Sequence, residues 1–312
     1  MHTEGIHHVT AVAGDPRENV RFYADVLGLR LVKRTINFDD TSTYHLYYGD
    51  ETGSPGTAMT FFPFGGGRSG RPGRGQAVAT AFVVPPGSLD YWADRLSENG
   101  VSVEERMERF GSGVLAFEDA DGQPLELVEG ETDVEPWADG PVPVDHAVRG
   151  FYGVTLQSAA TDSTGRVLEL LGFEREGEGD GRIRYRSAGD RADVVDILER
   201  ESPRGRPGVG TVHHVAFRAA DEEEQLAWRE ELSNAGQNVT PQKDRRYFRS
   251  VYFREPGGIL FEIATDGPGF TRDESVADLG SSLQLPPWVE DDRERIESTL
   301  PSLDAEVREV GN

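Results

Sequence analysis

The sequence predicts an α+β protein built from four copies of one βαβββ unit. Three observations predict it. The triplet His-His-Val occurs at 7–9 and again at 213–215, each time with an acidic residue seven places after the second histidine (Asp15, Asp221) and then a helical run. Helix stops recur at Gly28, Gly100, Gly172 and Gly236. A turn rich in Gly and Pro followed by an alternating strand appears at 118–128 and at 254–264.

Module 1 covers 1–64. Asp15 is its expected N-cap, Pro16 opens the first turn, and Val20, Tyr23, Ala24 and Leu27 recur at helical spacing before Gly28. Residues 65–75, rich in Gly and Arg, read as a loop; they lack a Lys-Ser/Thr ending, so they do not match a phosphate-binding loop. Module 2 covers 75–130, with a strand through 81–84 and a helix over 88–98. The acidic, Pro-bearing stretch 131–148 reads as a linker. Module 3 covers 149–199, with a strand at 154–156 and a helix over 163–171; module 4 covers 211–266, with a helix over 223–234. Residues 267–312 form a tail with one helix expected around 288–299.

Composition narrows the function classes. The chain has 312 residues and no cysteine, which excludes disulfides, thiolate metal sites and cysteine nucleophiles. Any metal must rest on His, Asp and Glu. Acidic residues number 56 against 32 basic ones, for a net charge of −24. A field of that sign repels nucleic acid and anionic lipid, so neither is an expected partner. Only Lys33 and Lys243 are lysines. An acidic, lysine-poor surface is the expectation for a halophile, whose salt screens the self-repulsion. No run reaches the ~18–20 apolar residues of a membrane span and no leader pattern opens the chain, so a cytoplasmic location is expected.

Seven histidines occur, and four of them stand in the two His-His pairs. His8 and His214 hold equivalent places. Glu262 lies in Leu260-Phe261-Glu262-Ile263-Ala264, a run apolar enough to be buried, where an unpaired carboxylate costs several kcal/mol and calls for a cation or metal. Two histidines and one carboxylate make the facial triad suited to non-haem Fe(II). The other copies lack the histidines: Ala79 in the second and Tyr152 in the third stand at the place of His8, and Glu126 matches Glu262 without companions. The ligand inventory therefore pairs modules 1 and 4 around the metal and leaves modules 2 and 3 to pair with each other. Thr10 shares strand parity with His8; His7 and His213 have the opposite parity and face away unless a bulge turns them.

At these residues the chain resembles the vicinal oxygen chelate superfamily of glyoxalases, bleomycin-resistance proteins and extradiol dioxygenases. More closely it is similar to ring-cleaving dioxygenases acting on hydroquinones. The likeness spans nearly the whole chain: 5–15 (Gly-Ile-His-His-Val-Thr-Ala-Val-Ala-Gly-Asp), 22–39, 44–50, 53–57, 59–63, 211–217, 244–266 and 283–290 (Leu-Gln-Leu-Pro-Pro-Trp-Val-Glu). It implies modules paired into two open-barrel domains, metal ligands His8, His214 and Glu262, and supporting catalytic groups His7, Thr10, His213, Arg245 and Tyr252. It further implies Fe(II), with Mn(II) as the alternate, and a small aromatic substrate with O2 as partners. The metal would act as template and Lewis acid, Arg245 would stabilise anionic oxygen, and His213 or Tyr252 would manage protons. A homo-oligomer is expected.

Three alternatives stay open at this point. A glyoxalase-like isomerase or lyase would use the same fold but a more carboxylate-rich ligand set. A catechol-type extradiol enzyme would place its triad wholly in modules 3 and 4. A quinone-binding resistance protein would hold the ring without turning it over.

Overall fold

Helix caps and strand alternation decide where each element begins. The computed structural model describes residues 1–303; the tail expected over 267–312 therefore lies partly outside the described residues. The first unit contains β1 (Ile6–Ala13), α1 (Pro16–Val20), β2 (Arg30–Asn37), β3 (Asp40–Gly49) and β4 (Ala58–Pro63). The second contains β5 (Gln76–Val84), α2 (Leu89–Glu98), β6 (Met107–Arg109), β7 (Ser112–Glu118) and β8 (Pro124–Glu129). The third contains β9 (Phe151–Gln157), α3 (Thr161–Leu170), β10 (Glu174–Gly179), β11 (Arg182–Arg186) and β12 (Val194–Leu198). The fourth contains β13 (Thr211–Ala219), α4 (Glu222–Asn234), β14 (Lys243–Asp244), β15 (Arg249–Arg254) and β16 (Leu260–Thr265), and α5 (Arg293–Thr299) follows in the tail.

Asp15 caps α1 by accepting from the Arg17 and Glu18 amides, and Asp221 caps α4 by accepting from the Glu224 amide. The first helix does not run straight to Gly28. From Arg21 to Val26 it widens into a π-helical turn, in which the Leu27 amide donates to the Phe22 carbonyl. The wider turn brings Phe22, Tyr23 and Val26 together into the core.

Two eight-stranded sheets result. Their orders are β14-β15-β16-β13-β1-β4-β3-β2 and β10-β11-β12-β9-β5-β8-β7-β6. The first and fourth units thus share one sheet, and the second and third share the other. Within each, the first strands of the two units pair antiparallel at the centre. Alternation sends Val9, Ala11 and Ala13 of β1 and Val215, Phe217 and Ala219 of β13 into a common core with Trp92 of α2, Leu168 of α3 and Trp228 of α4. His8, Thr10, His214 and Ala216 fall on the opposite face.

The turns before the last strands are held alike. Asp119 accepts from the Asp121 and Gln123 amides, and Tyr23 of the first helical segment donates to it. Glu255 accepts from the Gly257 and Ile259 amides, and Thr164 of α3 donates to it. One buried carboxylate per turn satisfies backbone donors and ties the turn to a helix of a neighbouring unit.

Candidate metal centre

The central strand pair positions the site. In the register of β1 against β13, Ile6 faces Phe217 and His8 faces Ala216, so His7 is an extra residue; Thr10 faces His214 and Ala11 faces Val212, so His213 is another. Each is a β-bulge, and bulges suspend the alternation expected of a regular strand. The Nδ1 of His7 lies 2.9 Å from that of His8, and the Nδ1 of His213 lies 2.8 Å from that of His214. Each bulge histidine thus holds the far nitrogen of its neighbour, which fixes ring orientation and leaves Nε2 of His8 and His214 free to point inward.

Those two Nε2 atoms are 3.3 Å apart. Glu262 Oε2 lies 2.9 Å from His214 Nε2 and 3.5 Å from His8 Nε2. Ligands at ~2.0–2.2 Å from one ion stand about 3.0–3.5 Å from each other, so this spacing suits a shared cation. Glu262 is wholly buried, and its Oε2 has no hydrogen-bond donor in line, so this one oxygen is left in a place where a cation held with the two imidazoles would satisfy it. Its other oxygen accepts from Ser250 Oγ at 2.5 Å. Burial alone would raise the Glu262 carboxyl, yet His8 and His214 outweigh it and hold it well below the usual carboxylate range. Burial lowers His214 in turn, partly offset by Glu262. An ionised carboxylate and a neutral imidazole are the protonation states a metal requires.

A cavity of about 350 Å³ opens over His8 and His214. Arg245 lines it, donating from Nε to the Tyr252 hydroxyl at 3.1 Å and from Nη2 to Asp39 at 3.0 Å. Tyr252 meets the His214 ring edge-on at 5.7 Å, and Phe248 packs against His8 at 4.9 Å. His213 lines the same cavity while part of its side chain stays exposed, and partial loss of water around its ring, then His214, brings its pKa down to about 4. His7 instead borders a separate space of about 90 Å³ with Thr52, Phe248 and Asp266, so it reaches the triad through His8. Thr10 is buried beside the cavity and bonds Thr60 Oγ1 at 2.7 Å.

Sequence reasoning missed Ser250, Thr60, His45 and Tyr47. Ser250 and Thr60 carry no signal of their own. His45 and Tyr47 share strand parity in a histidine-poor chain, which could have marked them. The register also corrects one equivalence. In β5 against β9 the bulges fall at Val78 and Tyr152, so Tyr152 matches His7 and His213, and Gly153, not Tyr152, stands at the place of His8. Ala79 keeps its place. Position by position, the residue paired beside the central strand is Glu262 opposite Ala216, Thr60 opposite Thr10, Glu126 opposite Ala81 and Asp196 opposite Thr155.

In the second sheet those carboxylates meet arginines. Arg184 forks onto Asp196 through Nε and Nη2, both at 2.8 Å, and donates to Tyr152; Arg109 donates to Glu126 at 2.6 Å, and Arg182 lies between the two carboxylates. The space left is about 10 Å³.

Among the described residues, no helix is long and apolar enough to cross a membrane. The chain is 49% identical over 310 residues to a Bacillus subtilis (strain 168) protein provisionally named ring-cleaving dioxygenase MhqO, covering 99% of this chain and 98% of that one. It is 36% identical over 308 residues to the chlorohydroquinone/hydroquinone 1,2-dioxygenase of Sphingobium indicum, covering 95% and 96%. The crystal structure of a provisionally named Bacillus subtilis dioxygenase superposes with a TM-score of 0.95 at 48% identity, over 97% of this chain and 98% of that one. Glyoxalase I from Zea mays, at 16% identity, shares the fold with a TM-score of 0.61 over 84% and 92%. The glyoxalase/bleomycin resistance protein/dioxygenase family model matches residues 5–127 and 167–263, and the chain belongs to that superfamily.

Proposed function

We propose that this chain is an Fe(II)-dependent, extradiol-type dioxygenase that opens hydroquinone-type or catechol-type aromatic rings with O2. Mn(II) is the alternate metal. His8, His214 and Glu262 are the ligands in this reading. The observation that carries it is Thr60. It occupies the place equivalent to Glu262 in the first unit, where a second carboxylate would make a four-ligand site. A threonine there, its hydroxyl engaged by Thr10 and His45, leaves one side of the ion to substrate and O2. A glyoxalase-like isomerase or lyase would want the carboxylate. The names of the two relatives described above support the same chemistry.

When bound, the metal would supply a Lewis-acid template on which ring and dioxygen meet. Phe248 and Phe62 give the cavity apolar, aromatic walls that take a flat ring and exclude water. Arg245 would hold a phenolate or developing carboxylate oxygen, and it keeps the Tyr252 hydroxyl pointed. His213, neutral at pH 7 and with its Nδ1 accepting from His214, would offer its Nε2–H as a proton donor to the cavity it lines. Thr10 orders the hydroxyl chain beside His8. His7 and His213 hold the ligand imidazoles in place.

The test is anaerobic loading with Fe(II) or Mn(II), followed by oxygen uptake with substituted hydroquinones and catechols. Stoichiometric O2 consumption with an acyclic carboxylate product is the expected result. Ring binding with no O2 uptake by either metal form would overturn the enzyme reading in favour of a quinone-binding resistance protein.

A further inference from the structure

The first-unit side of the cavity repeats the fourth-unit side residue for residue. Tyr47 pairs with Thr60 between β3 and β4 as Tyr252 pairs with Glu262 between β15 and β16. Two residues earlier, His45 stands where Ser250 stands. Ser250 bonds Glu262, and His45 Nε2 correspondingly lies 2.9 Å from Thr60 Oγ1. The chemistry then diverges. His45 is bifunctional, and its Nδ1 lies 2.7 Å from the Tyr47 hydroxyl. Thr10, Thr60, His45 and Tyr47 therefore form one hydrogen-bonded chain that starts beside His8 and ends in the cavity.

Donor counting limits this chain to two arrangements. In one, Tyr47 donates to His45 Nδ1, His45 Nε2–H donates to Thr60, and Thr60 donates to Thr10. The Tyr47 oxygen then keeps lone pairs for a donor in the cavity. In the other the sense is reversed, and the Tyr47 O–H is left to donate. Both arrangements need a neutral imidazole. Burial, then His8 and His214, pushes His45 well below its ordinary value and keeps it so at pH 7. Tyr47 is itself buried, its ring clamped between His45 at 4.0 Å and Phe270 at 4.9 Å, so the hydroxyl has little freedom beyond the choice His45 makes for it.

We propose that the Tyr47 hydroxyl recognises a second ring hydroxyl of the substrate, away from the one directed at the metal, and that His45 is the positioning residue that aims it. This assignment rests on the ring-binding function proposed above. A hydroxyl suits both arrangements, because it can donate or accept; a ring hydrogen, halogen or alkyl group cannot. The site would therefore favour dihydroxylated rings with separated oxygens over monophenols.

The experiment is anaerobic calorimetry on the Fe(II)-loaded protein with hydroquinone and with phenol, metal content being measured for every variant. Wild type should bind hydroquinone about tenfold more tightly than phenol, the worth of one good hydrogen bond. Tyr47→Phe, nearly isosteric, should bring the ratio close to one without weakening phenol. His45→Asn, whose amide falls near the place of Nδ1, should keep most of the preference, and His45→Gln, which empties that place, should lose it. An undiminished ratio in Tyr47→Phe overturns the recognition role while the proposed function stands. Equal loss in His45→Asn and His45→Gln overturns the positioning role. Failure of the wild type to bind either ring overturns the function itself and this assignment with it.

Discussion

The two sheets have the same strand order, the same central antiparallel pair and the same two bulges, yet one encloses a metal-ready cavity and the other a plug of charge. The difference comes from few positions. At the inward central places the first sheet has His8 and His214, the second Ala79 and Gly153. Beside them the first has Glu262 and Thr60, the second Glu126 and Asp196. Two buried carboxylates with no imidazoles beside them to help hold a metal leave negative charge that something else must neutralise, and the second sheet does so with Arg109, Arg182 and Arg184. A guanidinium is large. It fills the space that a small ion leaves open for a substrate, so the same scaffold is either a reaction chamber or a structural core.

The sharpest way to break the comparison is to leave the first sheet without its carboxylate. Glu262→Ala should lose both bound metal and oxygen uptake, because two imidazoles without a charge partner hold an ion weakly. Full metal content in that variant, measured by elemental analysis after desalting, would mean that the ligand is another residue. Thr60→Glu probes the same position from the other side. It restores the twofold symmetry of the ligand set, and the expected outcome is retained metal with oxygen uptake lost, since the added carboxylate occupies the open side. Undiminished uptake in Thr60→Glu would show that the open side lies elsewhere.

In the second sheet the expected effect is on stability alone. Arg184 is 2% exposed, and Asp196→Ala would strand its charge, at a cost of about 3–5 kcal/mol. Urea denaturation measures it. The double replacement Arg184→Leu with Asp196→Leu should recover most of the loss, because removing both charges avoids burying either one alone. Metal content and oxygen uptake of the folded protein should match wild type in both. A drop in specific activity would show that the two sheets are coupled, which nothing in their separate cavities requires.

How much of this was legible in the residues depends on which physical signal each one carries. The four-unit repeat was readable because capping residues, helix stops and Gly/Pro turns recur at fixed offsets, and those are local effects. The gathering of His8, His214 and Glu262 was readable because imidazole pairs are scarce and a carboxylate between apolar neighbours needs a partner. The bulges were not readable. A bulge depends on the partner strand's register, so parity alone turned His7 and His213 away from their neighbours and put Tyr152 one place off. Ser250 and Thr60 were silent for a similar reason: a hydroxyl on a strand has many uses, and only the pairing with Glu262 or Thr10 gives it one. The arginine plug was invisible because arginines in an acidic chain read as surface charge until the fold buries them.

The smallest expected effect tests how the turn carboxylate of the second unit titrates. Asp119 is 9% exposed, and burial raises its pKa from 3.8 to about 6, against the opposing pull of its bonds from Gln123, Tyr23 and Asp121. A carboxyl whose folded pKa exceeds its unfolded one binds more protons in the folded state between those two values. Its contribution to stability is therefore fully present below about pH 4 and is lost as pH rises through 6, by on the order of 2–3 kcal/mol. Asp119→Asn keeps an oxygen for the two backbone amides and presents an N–H to the Tyr23 oxygen, but it does not titrate. Urea denaturation of the two proteins between pH 4.5 and 7 should give curves that diverge as pH rises, with wild type losing ground to the variant. Parallel curves would mean that the turn hydrogen bonds offset burial completely, as they would if Asp119 were held in the same ionised state throughout.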